Sequence, residues 1–320
     1  MVRPSYVKHI LLVVIFIGCW GEAPAYAKLD KLIVMGTGGP SGVYSKVGRS
    51  ICNEVNSLRK KNLVRCINYI SAGSVFNVQS VLSRNIDIGI AGSDIVSELF
   101  NKDQGEVKNL RLVALLYEQP TAVIISNNSG IRTFSDFANK SINIGNIGSG
   151  KRVTANLVFR TMNWTDASFS KISELGSGGA GKAFCQGDVD IMIDILGHPS
   201  SFYQNIIKKC NGKFISLPSS LINTLTSKYP YFSKQIIPAK HYNKINKNTD
   251  TFGSVTLIVT HAKFSQETIS KFLEALFDDL PALQATHPAL ANIKENLPQL
   301  MSIGVPLHEG AKTFFNRNKN

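Results

Sequence analysis

Residues 32–44 read LIVMGTGGPSGVY, and the character of the sequence changes twice within this stretch. Four apolar residues, Leu32 to Met35, have the pattern of a short buried strand. A segment rich in glycine and other turn-forming residues follows at 36–42. From Val43 onward, apolar residues return at every fourth position (Val47, Ile51 and Val55), which is the spacing of one helix face. The stretch therefore predicts a strand, a glycine-rich loop and a helix in succession.

The same order of elements recurs three more times along the chain. A predicted strand, a loop of small residues and a helix occupy residues 67–82, 87–100 and 142–158. Alternating strands and helices predict an α/β fold in which the sheets are mostly parallel and flanked by helices. In such sheets ligands bind beyond the carboxyl ends of the strands, where these loops lie.

Two longer apolar segments are suited to connect two lobes. Residues 115–126 have the pattern of a long strand interrupted by Pro120, and residues 251–260 form a second β-rich stretch. We interpret both as hinge strands of a two-lobed periplasmic-binding-protein fold of type II, which agrees with a length suited to two domains. The predicted lobes are 28–117 plus 256–320 and 118–255. Residues 238–248, rich in lysine and asparagine, are expected to form a surface loop, and the chain after Ser265 to be helical.

The N-terminus has the features of a cleaved secretory signal peptide. Arg3 and Lys8 precede an apolar run from Ile10 to Cys19, and the small-x-small sequence Ala25-Tyr26-Ala27 follows. We therefore predict a signal peptide at residues 1–27 and a periplasmic protein. Lipid attachment at Cys19 is the alternative, disfavoured because Phe16 stands where a lipobox usually has leucine.

Charge and cysteine content restrict the class of partner and the compartment. The formal net charge is +13, but the basic residues are scattered, and the densest run, Arg59-Lys60-Lys61, lacks any nucleic-acid-binding motif. We expect a monomer that binds no nucleic acid. Four cysteines follow the predicted signal peptide, and an even number in an oxidising compartment favours disulfides. The local pairing is preferred over free thiols: Cys52–Cys66 and Cys185–Cys210.

The loops at the predicted helix starts are candidates for an anion-binding site. The first turn of a helix has unpaired N–H groups and a partial positive charge, and glycine or serine lets a carboxylate approach them closely. Glycine also follows strands in ordinary turns, but here several such loops occur at strand-to-helix junctions of both predicted lobes. The candidate ligand-binding residues are Thr37, Gly38, Gly42, Tyr44, Gly73, Ser74, Asn77, Ser93, Gly148, Ser149, Gly150 and Lys151.

Motifs of catalysis, cofactors or metals do not emerge from the sequence. Residues 145–152 nearly match a phosphate-binding P-loop, but Arg152 stands where the magnesium-binding Ser or Thr is required. The first loop has Ser41 in place of the third glycine of a dinucleotide fingerprint. His198 either lines the cleft or packs in a loop, and Asp188, Asp190 and Asp194 have the spacing of a strand. We therefore predict a binding protein without catalytic residues, cofactor or metal.

Several of these stretches carry a resemblance to a known family. The chain resembles the TAXI family, the solute receptors of one branch of tripartite ATP-independent (TRAP) transporters. Residues 36–44 look like the family's Gly-Thr-Gly loop with its tyrosine, and residues 72–77 look like its Ala/Gly-Ser-x-x-Asn segment. Corroborating similarities lie at residues 88–94, 134–140, 148–150, 190–199 and 307–312.

The resemblance implies a function and also leaves a question about the ligand. It implies capture of a carboxylated solute, such as glutamate, and delivery to TRAP-type permease subunits in the membrane. Lys151 stands where the family usually has Thr, and Gly92 where Gln is common, so ligand choice is expected to differ. Lys151 either adds a cation to the site or points to solvent. The alternatives are an exported enzyme on a similar fold and a surface antigen or adhesin with a vestigial cleft.

Overall fold

The computed structural model describes residues 30–102, 105–293 and 297–317. The predicted signal peptide, its cleavage site and the lipid-attachment alternative at Cys19 lie outside these residues. In the described part of the chain, no helix combines the length and apolar character needed to cross a membrane.

The described residues form ten strands and twelve α-helices, with short 3-10 turns between them. The strands are β1 (Lys31–Gly36), β2 (Val64–Tyr69), β3 (Ile88–Gly92), β4 (Leu110–Ser126), β5 (Ser141–Asn143), β6 (Lys171–Ser173), β7 (Ile191–Ile195), β8 (Gly212–Phe214), β9 (Ser233–Ile237) and β10 (Thr249–His261). The helices are α1 (Val43–Ser57), α2 (Arg59–Asn62), α3 (Ser74–Leu82), α4 (Ser93–Lys102), α5 (Gly150–Thr161), α6 (Ser177–Gln186), α7 (Ser201–Lys209), α8 (Ser219–Lys228), α9 (Gln266–Leu276), α10 (Leu280–Thr286), α11 (Leu297–Met301) and α12 (Glu309–Arg317).

The strands join in the order β2-β1-β3-β10-β4-β7-β5-β6, with β8 on β4 and β9 on β10. Parallel pairs occur at the two ends, where β1 joins β2 and β3, and where β5 joins β6 and β7. Pairs that involve β4 or β10 are antiparallel. The sheet is therefore mixed rather than mostly parallel, because the two long strands run against their neighbours. We call the β2-β1-β3 end the first lobe and the β7-β5-β6 end the second lobe.

Strands β4 and β10 are the two long strands that run between the lobes, as predicted for hinge strands. They pair with each other from Leu110 and His261 to Pro120 and Gly253. Beyond this point they separate, since β4 continues along β7 and β8 while β10 has its first residues on β9. Proline has no N–H to donate, so Pro120 is suited to the position where the pairing ends. The exact residue limits of the lobes stay a prediction.

Apolar periodicity explains how the helices pack onto the sheet. Val43, Val47, Ile51 and Val55 of α1 are all buried, as their spacing requires. In the second lobe an aromatic cluster packs around Trp164, whose ring lies 5.1–5.7 Å from four phenylalanine rings. The chain after Ser265 is largely helical, as predicted.

The structure differs from expectation at residues 238–248. Most of this segment is irregular, but Tyr242 is buried because its ring packs edge-on against Phe214 and His198. The lysine and asparagine content correctly indicated an irregular segment. It gave no indication that Tyr242 within this segment is buried.

Disulfide bonds connect Cys52 to Cys66 and Cys185 to Cys210. The first joins α1 to β2, and the second joins α6 to the end of α7. Each bridge thus fastens a helix within one lobe.

Candidate functional site

A cavity of about 200 Å³ lies between the lobes, at the carboxyl ends of the parallel strands. Its first-lobe wall comes from the loops that follow β1 and β2. Its second-lobe wall comes from the segments that follow β5, β6 and β7. The cavity thus lies where ligands bind in α/β sheets of this kind.

Five helices begin at this cavity. The residues that cap them all line it, and they are Gly42 of α1, Gly73 of α3, Ser149 of α5, Gly176 of α6 and Ser200 of α7. Glycine caps have no side chain that could accept hydrogen bonds from the first-turn N–H groups. Together with the helix dipoles, these N–H groups make the cavity electropositive and rich in donors.

Eight of the twelve predicted ligand-binding residues line the cavity. They are Gly38, Gly42, Tyr44, Gly73, Ser74, Ser149, Gly150 and Lys151. Both lobes contribute to this set, so the structure brings the candidate loops of the two lobes together.

The other four predicted residues lie outside the described cavity lining, and the side chains of three of them bond the backbone of neighbouring segments. Thr37 donates its hydroxyl hydrogen to the Tyr69 carbonyl at 2.8 Å. Asn77 donates to the carbonyls of Thr37 and Ile90 at 2.7 and 2.8 Å. Ser93 accepts a hydrogen bond from a backbone N–H of β10 at 3.2 Å.

Gly148, the fourth of these residues, contacts the first lobe through its backbone. Its carbonyl accepts a hydrogen bond from the backbone N–H of Phe76, a contact across the cleft. These four residues lie outside the described cavity lining, and a ligand contact for them stays a prediction.

Tyr44 connects the cavity wall to the hinge strands. Its hydroxyl donates to Gln119 Oε1 at 2.8 Å and lies 3.3 Å from Ser74 Oγ. Gln119 Oε1 also accepts from Thr256 at 3.0 Å, and Gln119 Nε2 donates to Ser254 at 2.8 Å. Because Gln119 lies on β4 and the two hydroxyl residues lie on β10, the network joins the hinge strands to the cavity.

The same network ends at a buried carboxylate. Ser254 donates to Asp94 Oδ1 at 2.9 Å, and Asp94 is the second residue of α4. Burial raises the pKa of Asp94 to about 6, although its hydrogen bonds oppose this shift. Gly92 leaves room for these groups, since a Cβ there would lie 2.3 Å from both Asp94 Oδ1 and Gln119 Nε2.

Lys151 faces the cavity and not solvent, which resolves the alternatives that the sequence left open. Its ammonium donates to Ser177 Oγ at 2.8 Å and lies 3.6 Å from Asp194 Oδ2. Burial raises the pKa of the Asp194 carboxyl, and the charge of Lys151 opposes that effect. Lys151 and Asp194 thus form a buried ion pair in the cavity wall.

Several lining residues escaped the sequence analysis. Gly176 and Ser177 follow β6 in the same strand–loop–helix order as the predicted loops, so this signal was present. Asp194 was interpreted only as a strand residue, although it stands near the carboxyl end of β7, where ligands bind. Phe202 gave no signal, because its place in the wall depends on how α7 packs.

The His198 ring is buried among aromatic side chains of the second lobe. Its Nδ1 lies 2.6 Å from the Tyr242 hydroxyl, and it is absent from the described cavity lining. Burial lowers the pKa of His198 to about 3, so the ring is neutral at physiological pH. Arg152 pairs with Glu174. Among the described residues, no group of His, Cys, Asp and Glu is placed to hold a metal ion.

The fold places the chain in the class of two-lobed periplasmic-binding proteins. Residues 35–317 match the model of the NMT1-like family, and because this covers most of the chain, the protein belongs to that family.

Solved structures with the same fold have distant sequences. MatC from Rhodopseudomonas palustris, solved with bound malate, is 14% identical over 89% of this chain and 98% of its own, with a TM-score of 0.58. The periplasmic binding protein BugD is 14% identical, covers 91% and 98%, and has a TM-score of 0.56. The arginine-, lysine-, histidine-binding protein ArtJ from Geobacillus stearothermophilus is 12% identical, covers 85% and 100%, and has a TM-score of 0.50.

Proposed function

We propose that this protein is a periplasmic solute receptor that binds a small anionic solute between its lobes and releases it unchanged. The observation that carries the proposal is the convergence of five helix starts on one interlobe cavity, with Lys151 in its wall. Helix N-termini favour negative charge, and a buried lysine adds a further cationic donor. Both features favour binding of a carboxylate group.

The size of the cavity supports a small ligand. Pockets for drug-sized ligands occupy roughly 300–1,000 Å³, and this cavity is smaller at about 200 Å³. A carboxylate or an amino acid such as glutamate is the proposed class. The bound malate of MatC makes malate a suitable first probe.

The mechanism is closure of the lobes about β4 and β10. A solute that contacts both walls stabilises the closed state by its differential affinity for that state. Tyr44, Ser74 and Ser149 form parts of the two walls, and the first-turn N–H groups donate hydrogen bonds to the solute. Because Tyr44 also binds Gln119 on β4, solute contacts reach the hinge directly.

We further propose membership of the TAXI group and a TRAP-type permease as the partner. The motifs at 36–44 and 72–77 support this finer assignment. The signal-peptide pattern at residues 1–27 supports export.

The test combines binding with recovery of the solute. The melting temperature of the protein is measured with L-malate, succinate and L-glutamate, and the solute is recovered and identified by NMR. We expect at least one compound to stabilise the protein and to return chemically unchanged. A modified product would establish an enzyme on this fold, and no stabilisation by any of the three would count against anion binding.

A further inference from the structure

Lys151 and Asp194 form an ion pair that the proposed solute has to share. Lys151 lies in the first turn of α5, whereas Asp194 comes from the carboxyl end of β7. Both residues line the cavity, and each side chain is only 10% exposed. An anion drawn to the helix starts therefore lies close to a buried carboxylate as well as to a buried ammonium.

Among the described residues, Lys151 is the cation that faces Asp194. Oδ1 of Asp194 accepts the backbone N–H of Ile195 at 2.9 Å. Tyr203 of α7 faces the same carboxylate, and burial keeps its hydroxyl neutral by raising its pKa. His198, which stacks on Tyr203 at 5.9 Å, is neutral for the reason given above.

Packing restrains the movement of Lys151. The lysine stem lies across Gly145, where a Cβ would approach the Lys151 Cγ to 2.5 Å. Its ammonium is tied to Ser177 at 2.8 Å. Because the stem is packed in this way, the ammonium stays beside Asp194 when an anion enters.

Two carboxylates near one ammonium cannot both keep their charge without a large electrostatic cost. When like charges share a site, the pKa of one group rises, and the pair titrates as a unit. Burial raises the pKa of Asp194, which favours this group as the one that takes the proton.

We propose that Asp194 is a specificity-determining residue that couples binding of the anionic solute to uptake of one proton. This proposal rests on the proposed function, because it requires an anion in the cavity. Protonation of Asp194 leaves the positive charge of Lys151 to pair with the solute and removes the repulsion between the two carboxylates. The dissociation constant then falls as pH falls, by up to about tenfold per pH unit for one linked proton.

The test is isothermal titration calorimetry with L-malate, succinate and L-glutamate, in buffers of different ionisation enthalpy, between about pH 6.5 and pH 8.5. We expect the wild type to take up close to one proton per bound anion. Asp194→Asn should take up none, lose the pH slope, and bind the anion at least about tenfold more tightly at the upper pH limit. Asp87→Asn, which removes a half-buried carboxylate outside the described cavity lining and outside the hinge network, should keep the slope.

Three results would overturn the proposal. Proton-independent binding by the wild type, with an unchanged affinity in Asp194→Asn, would remove the coupling and leave the receptor function intact. A loss of affinity in Asp194→Asn would show that Asp194 holds a donor group of the solute. Failure of all three probes at every pH would contradict anion binding itself, and the inference would fail with the proposed function.

Discussion

The backbone N–H of Phe76 donates a hydrogen bond to the carbonyl of Gly148 across the cleft, at an N···O distance of 3.1 Å. Asn146 reinforces the contact from the second lobe, since its amide donates to the Ala72 carbonyl at 3.1 Å. Lys46 of α1 likewise donates to Ser201 at the start of α7. The lobes are thus joined by direct hydrogen bonds at the rim of the cavity.

The contact between the loops depends on glycine at position 148. Gly148 has a φ of +81°, and a Cβ there would lie 3.1 Å from the Cβ of Ala72. We predict that Gly148→Leu holds the lobes apart, because the added side chain occupies the space between the loops. Small-angle X-ray scattering should show a larger radius of gyration, and solute binding should weaken at least about tenfold for a loss of about 1.4 kcal/mol.

Gly187→Leu is the matched control for that variant. Gly187 has nearly the same φ of +83°, but an added Cβ would meet nothing within 4 Å. The control carries the same kind of backbone strain without the obstruction, so its scattering profile should match the wild type. Equal opening in both variants would mean that backbone strain, rather than the contact between the loops, is responsible.

Asp94 should make stability depend on pH. Its folded-state pKa of about 6 lies above the ordinary value of 3.8, so the folded protein binds this proton more tightly than the unfolded chain. The contribution is present at low pH and is lost as pH rises through about 6, with a size of about 2 to 3 kcal/mol.

Asp94→Asn removes this contribution and still accepts a hydrogen bond from Ser254. Urea unfolding of both proteins across this pH range gives the difference in free energy of unfolding. We expect the wild type to lose stability relative to the variant as pH rises. A constant difference would show that Asp94 does not titrate in this window.

The two disulfide bonds determine how many free thiols the protein should contain. Titration of residues 28–320 under denaturing, non-reducing conditions should find no free thiol, because Cys52–Cys66 and Cys185–Cys210 account for all four cysteines. The bridges close loops with separations of 14 and 25 residues. Loss of either should lower the free energy of unfolding by about 3 kcal/mol on chain-entropy grounds. Four free thiols would refute both bridges.

Local sequence patterns predicted the elements that carry apolar periodicity. The spacing of Val43, Val47, Ile51 and Val55 predicted α1 because one helix face has to be buried. Strand β8 has only three residues, and a pattern this short cannot be distinguished from a turn. The antiparallel direction of β4 and β10 was also missed, because strand direction depends on connections between distant segments.

The candidate site was predictable only where glycine and serine mark a loop at a strand-to-helix junction. Glycine and serine at helix starts identified four residues of the first-lobe wall: Gly38, Gly42, Gly73 and Ser74. Asn77 and Ser93 have the same character, yet their side chains already bond backbone groups. Asn77 donates to the carbonyls of Thr37 and Ile90, and Ser93 accepts from the N–H of Val255. The pairing of Lys151 with Asp194 escaped prediction because the two residues are far apart in sequence and meet only through packing of α5 against β7.

Ser74 and Ser149 allow the cavity itself to be blocked. Ser74→Leu with Ser149→Leu should fill the space between the walls and abolish solute-dependent stabilisation, which is about 2.7 kcal/mol at a ligand concentration of 100 Kd. Ser149 also caps α5, so part of any loss in stability comes from the cap, at about 1 kcal/mol. Ser265→Leu removes the cap of α9 and serves as the control, since Ser265 accepts from Thr268 N outside the described cavity lining.

Native mass spectrometry of the freshly purified protein, compared with the Ser74→Leu/Ser149→Leu variant, tests the binding cleft most directly. We predict that the wild type carries one small anionic solute, identifiable by its mass, and that the folded double variant carries none. The same solute retained by the double variant would contradict the site. A wild type that carries no solute and is not stabilised by L-malate, succinate or L-glutamate would contradict the receptor function.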